Sequence, residues 1–166
     1  LQGNNLSWRI AHPSIAAESR IVKNFQDVLD VRSWADAGVM LEGFAPVEDG
    51  FVWQMGRWGE ITFDFDEAVR SRTGMADLMI ELDVFKRPPE ITGQNVFVYL
   101  NGLRVGSFLV TNRRILIMNF PTSILRAKMN VLTLDTPDSA SPKQFGSEDG
   151  RVLGAAVFAV YFRREA

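Results

Sequence analysis

The sequence predicts an all-β protein, a jelly-roll-like antiparallel β-sandwich of about eight or nine strands with little helix. Three observations carry that prediction. Apolar and polar residues alternate with a period of two through most of the chain beyond residue 24. An Asn-Gly pair sits between two β-rich runs, and turn residues recur between short strand-like segments. One sandwich domain is expected over 24–166, behind an arm at 1–23 in which Pro13 suits the first turn of a short helix.

The elements follow in chain order. In "WGEITFDFD", Ile61, Phe63 and Phe65 share one face while Glu60, Thr62, Asp64 and Asp66 take the other, a half-buried strand. "ADLMIELDVF" repeats this, with Leu78, Ile80, Leu82 and Val84 inward and Asp77, Glu81 and Asp83 outward. A carboxylate-rich outward face is the mark of an antiparallel sheet wet on one side.

"NVFVYLNGLRVGSFLV" is a hairpin with Asn101-Gly102 at its turn. A two-residue turn places Leu100 opposite Leu103 and Val98 opposite Val105, with Gly106 as a candidate bulge. "RILIMNFP" is a strand stopped by Pro121, "PTSILRAKMN" one or two helical turns, and "NVLTLDTP" a strand ended by Pro137. A polar stretch from Thr136 to Gly150 is the longest loop. The final run "RVLGAAVFAVYFRRE" is apolar on both faces, so it is expected at the centre of a sheet.

Composition narrows the function. The chain has 166 residues, 18 basic and 20 acidic, for a net charge of −2. That balance argues against a broad nucleic-acid surface, and the pairs Lys86-Arg87, Arg113-Arg114 and Arg163-Arg164 read as solvated strand ends. There is no cysteine, which removes disulfides, thiolate metal sites and a cysteine nucleophile. The single histidine, His12, would have to serve any Ser-His-Asp triad or histidine metal site. No cofactor and no metal are therefore expected. No apolar run reaches the ~18 residues of a spanning helix. The opening "LQGNN" carries no signal-peptide order, and the chain reads as one piece of a larger protein.

Two segments concentrate the candidate chemistry. "LEGFAPVEDGFVWQMGRWGEITF" sets Phe44, Phe51, Trp53 and Trp58 among Glu48, Asp49, Arg57 and Glu60. Flat aromatic rings stack on the apolar faces of sugar rings, and charged planar groups bond adjacent hydroxyls. The same tryptophans would equally serve as core or rim anchors of a sandwich. The second segment is "SPKQFGSEDGRVLG". Ser141 is biased to an extended conformation before Pro142, and Gly146 and Gly150 permit positive φ. Asp149 and Arg151 lie two apart, so on an extended chain they share a side. They either pin the loop to the fold or grip a polar ligand. Glu48 with Asp49 or Asp149 could form a glycosidase pair only at a defined separation across a cleft.

Together the two segments resemble a carbohydrate-binding-module-like β-sandwich of bacterial cell-surface polysaccharide proteins. That module is appended to glycosyltransferases and related envelope proteins. The early pattern is Gly43-Phe44, Glu48, Trp53 and Gly56; the late one is Ser141-Pro142, Ser147, Asp149, Arg151 and Leu153-Gly154. The similarity spans about Val28 to Phe162, and departs from the family where Phe44 stands for a frequent Trp. It implies a non-catalytic module that recognises a carbohydrate, associated with the cell envelope through a parent protein. Glu48, Trp53, Asp149 and Arg151 are then the ligand-binding residues, with Arg57 and Trp58 second. The alternatives are a structural or protein-interaction sandwich with a buried Glu/Asp/Arg cluster, and a glycan-acting enzyme domain.

Overall fold

A computed structural model describes residues 21–22, 28–30, 39–65 and 74–164. His12 and the helix expected from Pro13 lie outside these residues. Ile21–Val22, at the end of the expected arm, is already a strand, β1. The others are β2 (Val28–Asp30), β3 (Met40–Glu42), β4 (Val52–Met55), β5 (Trp58–Phe65) and β6 (Met75–Val84). Then come β7 (Gln94–Leu100), β8 (Leu103–Val110), β9 (Arg114–Pro121), β10 (Asn130–Asp135) and β11 (Leu153–Arg164).

These strands make two sheets. One is six-stranded in the order β1-β5-β10-β7-β8, with β3 also on β5. The other is five-stranded in the order β2-β11-β6-β9, with β4 also on β11. All pairings are antiparallel except β1 on β5. From β3 onward the chain changes sheet at nearly every connection, and only the β7–β8 hairpin stays within one sheet. This alternation makes the protein a β-sandwich of jelly-roll type.

The inward faces are those the alternation predicts. Ile61, Phe63, Leu78, Ile80, Leu82, Val96, Val98, Leu100, Leu132 and Leu134 are fully buried in a single core. Phe63, Phe65, Phe120 and Phe162 meet edge-on or tilted, with centroids 4.9–5.9 Å apart. Such aromatic contacts add roughly 0.5–1.5 kcal/mol per pair beyond burial. The last strand, β11, is central as expected: β2 and β4 flank one edge and β6 the other.

Among the described residues the longer strands β4–β11 agree with the expected eight or nine, and short segments at 21–22, 28–30 and 40–42 add three more by pairing along long neighbours. Three details differ from expectation. Thr62 and Asp64, expected on a wet face of β5, are buried, and Asp64 Oδ1 accepts from Met129 N at 2.8 Å; Asp66 lies outside the described residues. In the hairpin Leu100 does oppose Leu103, but Val98 opposes Gly106, and Val105 is the extra residue of a bulge. The Thr136–Gly150 loop is also partly ordered. Ser141 caps a 3-10 turn over Pro142–Phe145 with a capping box, and Gly146 ends it at φ 95°.

Candidate functional site

Changing sheets between β4 and β5 sends the two clustered tryptophans to opposite outer faces. On β4, Val52 enters the core, so Trp53 points outward from the five-stranded sheet, opposite Ala156. It is half-buried, with its ring edge-on to Phe51 at 5.7 Å. On β5, Ile61 and Phe63 enter the core, so Trp58 and Glu60 point outward from the six-stranded sheet.

On that second face lies a groove of about 380 Å³ lined by Trp58, Glu60, Tyr99, Asn101, Gly102, Arg126, Val131 and Thr133. The register explains its floor. Thr133 pairs with Glu60 on one side and Tyr99 on the other, so three outward residues lie in one row across β5, β10 and β7. Trp58 stands at the head of β5 and is 39% exposed.

Trp58 is held from behind. The Arg57 guanidinium lies 5.0 Å from its ring centroid. Arg57 is itself fixed by Asp135, with Nε donating to Oδ1 at 2.7 Å and Nη2 to Oδ2 at 3.1 Å. That fork holds the Arg57 pKa above its usual value, since the hydrogen bond and the charge of Asp135 favour the cation over the opposing desolvation. The main chain of this turn is gripped as well. Gln54, fully buried on β4, donates Nε2 to Arg57 O at 2.8 Å and Leu134 O at 3.1 Å. The Thr136 amide and hydroxyl both donate to the same Arg57 carbonyl, at 2.8 and 3.3 Å. At Gly43, φ is 78° and a Cβ would overlap the Trp58 carbonyl oxygen, so glycine is required where β3 passes the head of β5.

The two halves of the sequence pattern do meet, at the end of the sandwich. Gly56 N donates to Val152 O at 2.8 Å, and Met55 pairs with Leu153. Arg151 Nη1 lies 3.5 Å from Glu48 Oε1, with the two side chains 33% and 41% exposed. The closer partner of Arg151 is Asp149. Nη2 reaches Oδ2 at 2.7 Å, Nε reaches both oxygens, and Arg151 N donates to Oδ1 at 3.0 Å. These bonds, the side-chain ones first, hold the Asp149 carboxyl below the usual range and Arg151 above its own. The Asp149 carbonyl accepts from Ser141 Oγ and Lys143 N. The cluster therefore ties the loop to itself and to the β3–β4 turn.

The six sequence-derived site residues thus occupy three places. Glu48, Asp149 and Arg151 form one cluster. Trp53 lies on the outer face of the five-stranded sheet. Trp58 lies at the groove on the other sheet, with Arg57 against its ring. Tyr99, Arg126 and Thr133 were not singled out by the sequence, and Asn101 was read there as a turn residue only. Tyr99 had the only available signal, an aromatic on the outward phase of a hairpin strand.

Among the described residues no group of three or more acidic or histidine side chains is placed to hold a metal ion. No helix among them is long and apolar enough to cross a membrane. The basic residues flagged in the sequence are partly neutralised, Arg113 by Glu81, Arg163 by Asp77 and Lys86 by Asp83.

No protein-family model and no curated protein matches the sequence. Solved structures do match in fold. One is the CBM36-1 domain of a multidomain xylanase from the hindgut metagenome of Trinervitermes trinervoides. It has 10% identity and a TM-score of 0.51, and the match covers 85% of this chain and 98% of that one. Another is a family 35 carbohydrate binding module from Clostridium thermocellum, at 10% identity and a TM-score of 0.51, covering 82% and 98%. At that identity the likeness is one of fold, and the fold of this chain is that of these β-sandwich modules.

Proposed function

We propose that the chain is a non-catalytic glycan-recognition module whose binding surface is the groove on the six-stranded sheet. The observation that carries this reading is Trp58. Its indole is part-exposed at the groove, backed by a guanidinium that is itself fixed by Asp135. A ring held in place before the ligand arrives stacks on a pyranose with little ordering cost. Tyr99 adds a second aromatic, and Glu60, Thr133, Asn101 and Arg126 add polar groups suited to hydroxyls. Glu60 is the one carboxylate among the described lining residues, which supports binding over a two-carboxylate hydrolysis. The fold shared with carbohydrate-binding modules supports the same reading.

The ligand we assign is a bacterial surface polysaccharide, with the chain working as an accessory domain of an envelope protein. Support comes from the two-part Gly43–Gly56 and Ser141–Gly154 pattern. We read Glu48, Asp149 and Arg151 as the lock of the long loop, because the Asp149 carboxylate is already occupied by three Arg151 donors. The partial exposure of Arg151 and Glu48 favours a second reading, in which the cluster gives an additional polar contact to the ligand.

Calorimetric titration against an array of neutral and acidic oligosaccharides tests the reading. Trp58→Ala is expected to weaken binding about tenfold or more, and Trp53→Ala to leave it unchanged. Loss with Trp53→Ala alone would move the site to the opposite face. No binding to any glycan would favour the structural sandwich.

A further inference from the structure

One end of the groove is formed by residues that belong to no strand. Arg126 sits in the connection between β9 and β10, and Asn101-Gly102 is the β7–β8 turn. Asn101 and Gly102 have φ of 50° and 85°, the left-handed pair that a two-residue hairpin turn requires. The backbone alone would explain why Asn-Gly stands here. The Asn101 side chain nevertheless makes three bonds that a turn does not need. Nδ2 donates to Ile124 O at 2.8 Å and to Asn130 Oδ1 at 3.0 Å, while Oδ1 accepts from Val131 N at 2.8 Å.

Asn130 is fully buried and passes the contact on. Its Oδ1 accepts from Arg126 N at 2.8 Å, and its Nδ2 donates to Arg126 O at 2.7 Å and Phe63 O at 3.3 Å. Both main-chain polar groups of Arg126 are therefore held by one side chain, which is itself oriented by Asn101. Met129, at φ 59°, is held at the far side of the same loop by Asp64 Oδ1 at 2.8 Å. Arg57, which packs on the Trp58 ring, is bound to Asp135. Arg126 has no side-chain hydrogen bond or ion pair among the described residues. Its five N–H donors are available to a ligand.

We infer that Asn101 is a positioning residue, fixing Arg126 at the end of the groove through Asn130 so that its guanidinium meets the ligand's oxygens. This rests on the groove being the binding surface, but the positioning itself is measurable without a ligand. Asn101→Gly keeps a residue that accepts φ 50° and removes all three side-chain bonds. Asn101→Asp keeps the acceptor for Val131 N and loses both donations.

Hydrogen exchange by NMR is the first arm. In Asn101→Gly the Arg126 amide, which Asn101 does not touch, is expected to exchange about three- to tenfold faster, with Val96 and Leu82 unchanged. In Asn101→Asp the Arg126 amide again speeds up, while Val131 stays protected. An unchanged Arg126 amide, or a uniform rise across both sheets, would overturn the inference.

The second arm is titration with the same array of neutral and acidic oligosaccharides. Asn101→Gly is expected to weaken binding about three- to tenfold in the parent chain and not at all in Arg126→Ala. Equal losses in both backgrounds would overturn action through Arg126. If no oligosaccharide of the array binds while the exchange result holds, the positioning stands and the sugar reading falls.

Discussion

Gly154 closes the late sequence pattern, and the structure connects it to the groove on the other sheet. A Cβ at this position would overlap Thr136 Oγ1 and lie 3.0 Å from Thr136 Cβ and 3.3 Å from its Cγ2. Thr136 is fully buried, and its hydroxyl donates to the Arg57 carbonyl that precedes Trp58. Gly154→Ala must push this side chain away. Overpacking a well-packed interior costs about 1–3 kcal/mol, and driving a buried hydroxyl off its acceptor costs about 1–3 more. The two are not fully additive, so the expected loss is about 2–4 kcal/mol, read as a fall in urea midpoint at constant slope.

Thr136→Ala removes Oγ1 and Cγ2, the atoms in the way apart from Cβ. In that background Gly154→Ala should cost under about 1 kcal/mol, leaving a coupling of about 1–3 kcal/mol. Additivity within about 0.5 kcal/mol would refute the steric account. A normal Trp58 fluorescence spectrum in Gly154→Ala would refute its reach to the groove.

Two further outcomes are expected. Asp135→Asn keeps the shape but removes the charge that fixes Arg57, so near-ultraviolet circular dichroism from Trp58 should weaken and glycan affinity should fall several-fold; an unchanged spectrum and affinity would show that Trp58 needs no backing. The Asp149 carboxyl has its folded pKa lowered, so its contribution to the loop is present above the ordinary aspartate pKa and lost as the pH falls through the folded value. Loop amides at Lys143 and Arg151 should therefore lose exchange protection only in that acid window, and Asp149→Asn should abolish the dependence.

Local patterning carried much of the fold. The alternation at Ile61, Phe63, Leu78 and Leu82 placed those side chains in the core, because a strand's period of two is a property of its backbone. Turn chemistry placed the Asn101-Gly102 turn and the extended Ser141 before Pro142 for the same reason, since each acts within a few residues. The short strands β1, β2 and β3 were not legible, because two or three residues carry no period and exist only by pairing with β5 and β11.

The candidate site divides along the same line. That Trp58, Arg57 and Arg151 are placed to contact polar partners follows from residue type, and the Asp149–Arg151 pair from their spacing. Their grouping does not. Trp53 and Trp58 are five apart in the chain, yet a single change of sheet between β4 and β5 puts them on opposite faces. The groove is assembled by register: β10 brings Thr133 between Glu60 and Tyr99, and Asn130 brings Arg126 to the hairpin turn. These contacts join residues far apart in sequence, and no local periodicity encodes a long-range pairing. The amino-acid sequence by itself determined which faces are apolar and where the chain turns; only the packing of the two sheets decided which polar and aromatic side chains share a surface.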